Sequence, residues 1–155
     1  MKIKIVRIGK NKDTYIHDGE SEFLKRLSPF CKIEIVDLKE SRISKTFSKE
    51  QCVKEEEVRI LSAVSDDYLV LLDESGSEMT SIEFSKFLSS NKDVGKSICF
   101  VIGGAFGVGY ELKSRADKII SFSKMTLTHQ MIRLFLVEQI YRGICIMNDK
   151  EYHHE

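Results

Sequence analysis

The sequence predicts an α/β fold in which a mainly parallel sheet carries helices on both faces, within a single domain spanning residues 1–155. Three observations predict it. Strand-like and helical runs alternate along the chain, and the inner strand-like runs are continuously apolar, as strands covered on both faces are. A chain of 155 residues, 42% hydrophobic and 31% charged with one proline, also suits a single globular core.

Residues 2–8, KIKIVRI, and 32–38, KIEIVDL, alternate at period two and read as strands. Between them Phe23, Leu24 and Leu27 stand at helical spacing, which predicts a helix over 18–27 and a β-α-β unit. Residues 39–48, KESRISKTFS, are polar and basic and read as an exposed loop, where Arg42 and Lys45 either meet phosphates or face water. Ser48 then precedes a charged helical stretch running to about residue 64. Apolar runs at 68–72, 98–102 and 119–122 follow, separated by helical segments at 82–88 and 110–116. Ligands of such sheets bind beyond the carboxyl ends of the strands. That rule puts Leu72, Asp73, Gly103, Gly104 and the loop after Ile120 on one rim.

The last helix, His129–Met147, is apolar in nearly every direction, with Ile132, Leu136 and Ile140 on one side and Leu134, Tyr141 and Cys145 on another. Such a helix must be buried. Packing one side on the sheet and the other on a second subunit predicts a homodimer; enclosure within one chain is the alternative.

Net charge is zero, yet unevenly spread: +5 over residues 1–49, −7 over 50–93 and +2 over 94–155. The split permits a basic face beside an acidic one. The opening MKIKIVRIG lacks the continuous apolar core of a signal peptide, and no run approaches the roughly 20 apolar residues that cross a bilayer. The expectation is a soluble, cytoplasmic protein with no membrane partner. Cys31, Cys52, Cys99 and Cys145 form no C-x-x-C pair and have no His at zinc-finger spacing, so buried free thiols and no metal are expected.

Gly103, Gly104, Gly107 and Gly109 follow an apolar strand and suggest backbone closely approaching a ligand. The segment is neither a dinucleotide fingerprint nor a P-loop, since G-x-G-x-x-G fits no register and no Gly-Lys-Ser/Thr follows. The specific signal comes next, in SFSKMTLTHQMIRLFLVEQIYRGI. Together with LLD at 71–73, IGGAFG at 102–107, the MTL-x-HQ turn, EQ-x-YR at 138–142 and a terminal YH, it resembles the ribosomal RNA large subunit methyltransferase H family of the SPOUT class. The likeness covers the whole chain.

That resemblance implies a SPOUT-type fold with a C-terminal trefoil knot, which general rules of chain connection would not supply. It implies methyl transfer from S-adenosylmethionine to N3 of a pseudouridine in helix 69 of 23S rRNA, within the assembled ribosome. Carried over by position, the cofactor would meet Leu72, Gly103, Phe122, Ser123, Lys124, Met125, Thr126 and Leu127. Backbone groups of that loop can serve the adenine edge while Leu72, Met125 and Leu127 enclose the ring. Methyl transfer to nitrogen needs alignment and removal of the imide proton, for which His129, Tyr152 and His153 are the candidates. Arg133 and Arg142 can bind RNA phosphates, although Glu138 and Arg142 at i, i+4 also suit an ion pair. No role falls to His17 or His154.

The chain departs from the family pattern twice. Thr128 stands where relatives carry Pro before the His, and can cap the helix with its hydroxyl. The tail NDKEYHHE lacks the Pro that precedes YH, and Glu151 adds negative charge there. Readings from other classes are a non-catalytic nucleotide- or RNA-binding α/β module and an unrelated flavodoxin-like domain.

Overall fold

The computed structural model describes residues 1–64 and 66–152. Strands β1 (Lys2–Ile8), β2 (Lys32–Leu38), β3 (Tyr68–Glu78), β4 (Ile98–Ile102) and β5 (Lys118–Ser121) alternate with helices α1 (Thr14–Leu27), α2 (Lys49–Ala63), α3 (Ser81–Asp93), α4 (Tyr110–Arg115) and α5 (His129–Met147). The strands form one sheet in the order β2-β1-β4-β3-β5, and every pairing is parallel.

Alternate residues of the central strands feed two cores. Ile3, Ile5, Val70, Ile98 and Phe100 face α1, α3 and α5, where Leu27, Leu88, Leu136 and Ile140 meet them. Val6, Ile8, Leu69, Leu71 and Val101 face the other way, against Ile60 of α2 and Leu112 of α4. Helices thus cover both faces, as the continuous apolar strands require.

Helix starts follow side-chain capping. Ser48 accepts from the Gln51 N–H at 3.2 Å while the Gln51 side chain returns to the Ser48 N–H at 2.7 Å, and Thr80 and Glu83 repeat the reciprocal pattern before α3. Thr128 caps α5 through the Met131 N–H at 3.2 Å, the substitute for proline expected from its hydroxyl. Two helices are longer than the periodicity predicts: α1 begins at Thr14 rather than residue 18, and α3 runs to Asp93 through the polar stretch SSNKD.

Strand β3 also outruns its expected end at Leu72. Leu72 pairs with Ile120, four residues bulge out, and pairing resumes as Ser77 with Ile120 and Glu78 with Ser121. Gly76 sits where this return presses on β5: a Cβ there would lie 2.6 Å from the Ile120 carbonyl carbon. No other residue fits without moving backbone.

Helix α5 lies between α1 and α3. Phe23 of α1 packs on Tyr141, and the Ser85 hydroxyl of α3 donates to the Gly143 carbonyl at 2.8 Å. Gly19 leaves room for Leu134, and Gly143 for Leu88. The chain itself therefore supplies much of the cover that the apolar helix demands. What it leaves open centres on Phe135, 39% exposed, beside a cavity of about 250 Å³ lined by Met79, Phe84, Phe122 and Gln139.

Candidate functional site

The bulge of β3 and the loops after β4 and β5 border a cavity of about 540 Å³ at the carboxyl end of the sheet, within the range of small-molecule sites. Of the residues marked out in the sequence, Leu72, Gly103, Phe122, Ser123, Met125, Thr126, Leu127 and His129 line it. Lys124 belongs to the same loop without lining the cavity.

The wall after β5 is shaped by its own hydroxyls. Ser121 Oγ donates to the Ser123 carbonyl at 2.8 Å, Ser123 Oγ accepts from the Met125 N–H at 2.9 Å, and Thr126 Oγ1 donates to Glu74 at 3.3 Å. These hydroxyls hold the loop's curve. Met125, read from sequence as either core or pocket wall, stands 76% exposed at the cavity rim and so is not core.

The glycine segment after β4 also needs small residues for internal reasons. A Cβ on Gly103 would meet Val108 Cγ1 at 2.6 Å, Gly107 turns the chain at φ +80°, and the Gly107 N–H donates to the Gly104 carbonyl at 3.1 Å. The segment doubles back on itself to present Gly103 and Gly104 to the cavity.

The wall built by β3 was read from sequence only as far as Leu72 and Asp73; Glu74, Ser75 and Lys113 were not foreseen. Asp73, Glu74 and Ser75 of the β3 bulge line the cavity with Lys113 of α4. Asp73 accepts from the Ser75 N–H at 2.9 Å and from Lys113 at 3.1 Å. Burial acts to raise the Asp73 carboxyl, but its bonds from Ser75 and Lys113 outweigh it and hold the group below the ordinary carboxylate value. The clue in the sequence was DES directly after an apolar strand, whose polar side chains had to find partners at the rim.

His129, in the first turn of α5, faces the same space. Burial, and then the charge of Arg133, lower its pKa below the usual 6.5, so the imidazole is neutral near pH 7. A neutral ring beside a cavity can accept a proton.

Three other sequence candidates lie outside the cavity lining. Arg133 is 1% exposed; it donates to the Ile8 carbonyl at 2.5 Å and to Asn11 Oδ1 at 2.9 Å, its Nε has no partner, and burial followed by Arg7 pushes its pKa down to about 10. It binds the start of α5 to the end of β1, which is an internal task different from the expected phosphate contact. Arg142 donates to Glu138 at 3.0 Å, the i, i+4 pair that its spacing allowed. Tyr152 packs edge-on against Tyr141 with centroids 4.8 Å apart, beneath the Arg142 guanidinium, and donates to Glu138 at 3.2 Å. Tyr152 is thus anchored on the outer half of α5. His153 lies outside the described residues.

All four cysteines are buried and free. Among the described residues no group of His, Cys, Asp and Glu could hold a metal ion, and no helix is long and apolar enough to cross a membrane.

Comparison with known proteins agrees with this arrangement. The family described as "Predicted SPOUT methyltransferase" matches residues 1–153. Ribosomal RNA large subunit methyltransferase H of Geotalea daltonii is 41% identical over 156 residues, covering 99% of this chain and 100% of its own. The protein of that name from Clostridium kluyveri is 42% identical, covering 99% of each chain. Among solved structures, a probable methylase family protein from Haemophilus influenzae Rd KW20 superposes with TM-score 0.62 at 14% identity, over 99% of this chain and 70% of its own. A likeness that faint in sequence speaks to fold alone. Full-length identity of about 40% and the family match together establish that the chain belongs to the SPOUT methyltransferase family, among the ribosomal RNA large subunit methyltransferase H proteins.

Proposed function

We propose that this protein transfers a methyl group from S-adenosylmethionine to N3 of a pseudouridine in helix 69 of 23S rRNA, acting in the cytoplasm on assembled ribosomes as a homodimer. The observation that carries the reading is the cavity beyond β3, β4 and β5, whose lining gathers seven of the eight cofactor residues expected from the family pattern. The names of the full-length relatives support ribosomal RNA as substrate.

The cavity fits the cofactor on its own terms. Leu72, Ile102, Leu127 and Ile132 offer apolar surface for an adenine ring, while Gly103, Gly104 and the 122–127 loop offer backbone N–H and C=O groups to its edge. Bound there, S-adenosylmethionine supplies a methyl group on a positively charged sulfur. Leu72, Gly103 and residues 122–127 orient it, and Met125 at the rim shields it from water. The acceptor nitrogen must shed its imide proton, and His129, neutral and at the cavity wall, accepts it. The family pattern also gives Tyr152 and His153 of the partner subunit's tail a role at the reacting base, which would require Tyr152 to leave its place on Tyr141 and Glu138. Of the two arginines expected to meet RNA, Arg142 supplies positive charge toward it, while Arg133 is buried. The same reading gives the chain after β5 the trefoil knot of its family.

Phe135 and the cavity between α3 and α5 support the dimer, as an apolar patch that a second copy would cover. Zero net charge supports recognition of an assembled ribosomal surface over free RNA, since naked RNA is gripped chiefly through phosphates.

Titration calorimetry with S-adenosylmethionine is the first test, and absence of binding would overturn the reading in favour of a non-catalytic RNA-binding module. Methyl transfer is then expected on intact ribosomes and not on naked transcript. Equal rates on both would remove the ribosomal part of the proposal.

A further inference from the structure

Two adjacent carboxylates of α2, Glu56 and Glu57, are 3% and 6% exposed and lie against opposite ends of the glycine segment 103–109. Glu57 Oε1 accepts from the Leu112 N–H at 2.7 Å, a bond that satisfies the first turn of α4. The cap residue of α4 is Gly109, which has no side chain to do this. A Cβ on Gly109 would stand 2.4 Å from Glu57 Oε1, so the glycine is what lets the carboxylate come so near.

Glu56 works at the other end. Its Oε1 accepts from the Ser41 N–H at 2.8 Å, at the start of the basic 39–48 loop. Its Oε2 is fully buried, has no hydrogen-bond partner, and is aimed at Gly104, where a Cβ would lie 2.5 Å away. Burial raises the Glu56 pKa against the opposing effect of the Ser41 N–H. Burying two acids is costly, and a merely structural cap for a six-residue helix needs one of them.

We propose that Glu56 and Glu57 are positioning residues for the cofactor wall of the cavity, fixing the two ends of residues 103–109 and, through Ser41, tying that wall to the basic 39–48 loop. Neither side chain lines the cavity; Glu57 acts through its bond to the Leu112 N–H, just beyond the segment, and Glu56 through close packing of its carboxyl on Gly104. The inference rests on the cofactor reading above, and its test separates the two. It also implies that ligand binding in the cavity quietens the 39–48 loop, the surface carrying Arg42 and Lys45.

The test uses the full-length protein with Glu57→Ala, Glu57→Gln and Glu56→Ala, folding being checked by circular dichroism. Glu57→Ala is expected to weaken S-adenosylmethionine binding about tenfold, the loss of one hydrogen bond to a charged group. Glu57→Gln keeps an oxygen for the Leu112 N–H and is expected to bind within about twofold of wild type. In kinetics the Glu57→Ala loss falls on the KM for the cofactor with kcat nearly unchanged. Hydrogen exchange supplies a readout without cofactor: amides of 103–112 exchange faster in Glu57→Ala, and those of both 103–109 and 39–48 faster in Glu56→Ala. Cofactor added to wild type slows both segments together, and in Glu56→Ala slows 103–109 alone. Folded Glu57→Ala with wild-type affinity and exchange overturns the positioning role. Protection of 39–48 by cofactor that survives Glu56→Ala overturns the tie. Failure of wild type itself to bind S-adenosylmethionine sinks the cofactor reading instead, while the cofactor-free exchange still decides whether the two acids hold the segment.

Discussion

His129 and Arg133 stand one turn apart on α5, and their charges are set against each other. Because burial and Arg133 disfavour the imidazolium, the folded state binds the His129 proton less well than the unfolded chain does. The stability this group contributes is therefore full above about pH 6.5 and is lost as pH falls through the lower folded-state value. If His129 takes the imide proton, kcat/KM stays level down to below pH 6.5, and His129→Ala lowers kcat by about 10²- to 10⁴-fold with cofactor affinity intact. A pH–rate series with calorimetry checks both. Arg133 makes a contrasting prediction. Arg133→Ala leaves the Ile8 carbonyl and Asn11 without their donor and opens a void, so stability drops by about 2–4 kcal/mol in urea denaturation. Being buried, it should leave the salt dependence of RNA binding unchanged, whereas a residue on phosphate would reduce that slope by about one.

Among the elements, the β3 bulge was the hardest to foresee. Gly76→Ala would drive a methyl into β5 backbone, with an expected cost of about 1–3 kcal/mol and weakened cofactor binding, because Asp73 to Ser75 move with it. Thermal unfolding and calorimetry on one sample would separate the two effects. The five strands and five helices were legible because their apolar periodicities are strong. DESGS was not: its composition is that of a loop, and only pairing with β5, 42 or more residues away in the chain for Ser77 and Ile119, makes it strand. The 122–127 loop was found through a motif, whereas Lys113 and the two acids of α2 were missed. EEE at 55–57 reads as solvated helix surface, and nothing local reveals that its second and third members turn inward under a glycine loop. Similarly, Arg133 reads as a surface cation until β1 and α5, more than a hundred residues apart, meet.

At the level of the whole molecule, Phe135 is the residue to perturb. On the proposed dimer, wild type has the light-scattering mass of two chains and Phe135→Asp shifts it to that of one while leaving the circular dichroism spectrum in place; a one-chain mass for wild type overturns the dimer, and a two-chain mass for the variant removes Phe135 from its contact. The buried thiols give a further check. Cys99 is fully enclosed, and burial pushes its pKa up to about 12, so native protein should resist alkylation there until denaturant is added.

The two edges of the sheet bear on how copies of the chain can meet. A β-sheet ends in rows of free N–H and C=O groups that invite another strand. Here one border is β2, studded with Lys32, Glu34 and Asp37, and the other is β5, four residues long and already folded against by the return of β3. Neither border offers a long, uncharged template. Growth by strand addition, the route to fibres, is thereby discouraged, and the proposed dimer would form through the helical layer, where a paired assembly closes instead of propagating.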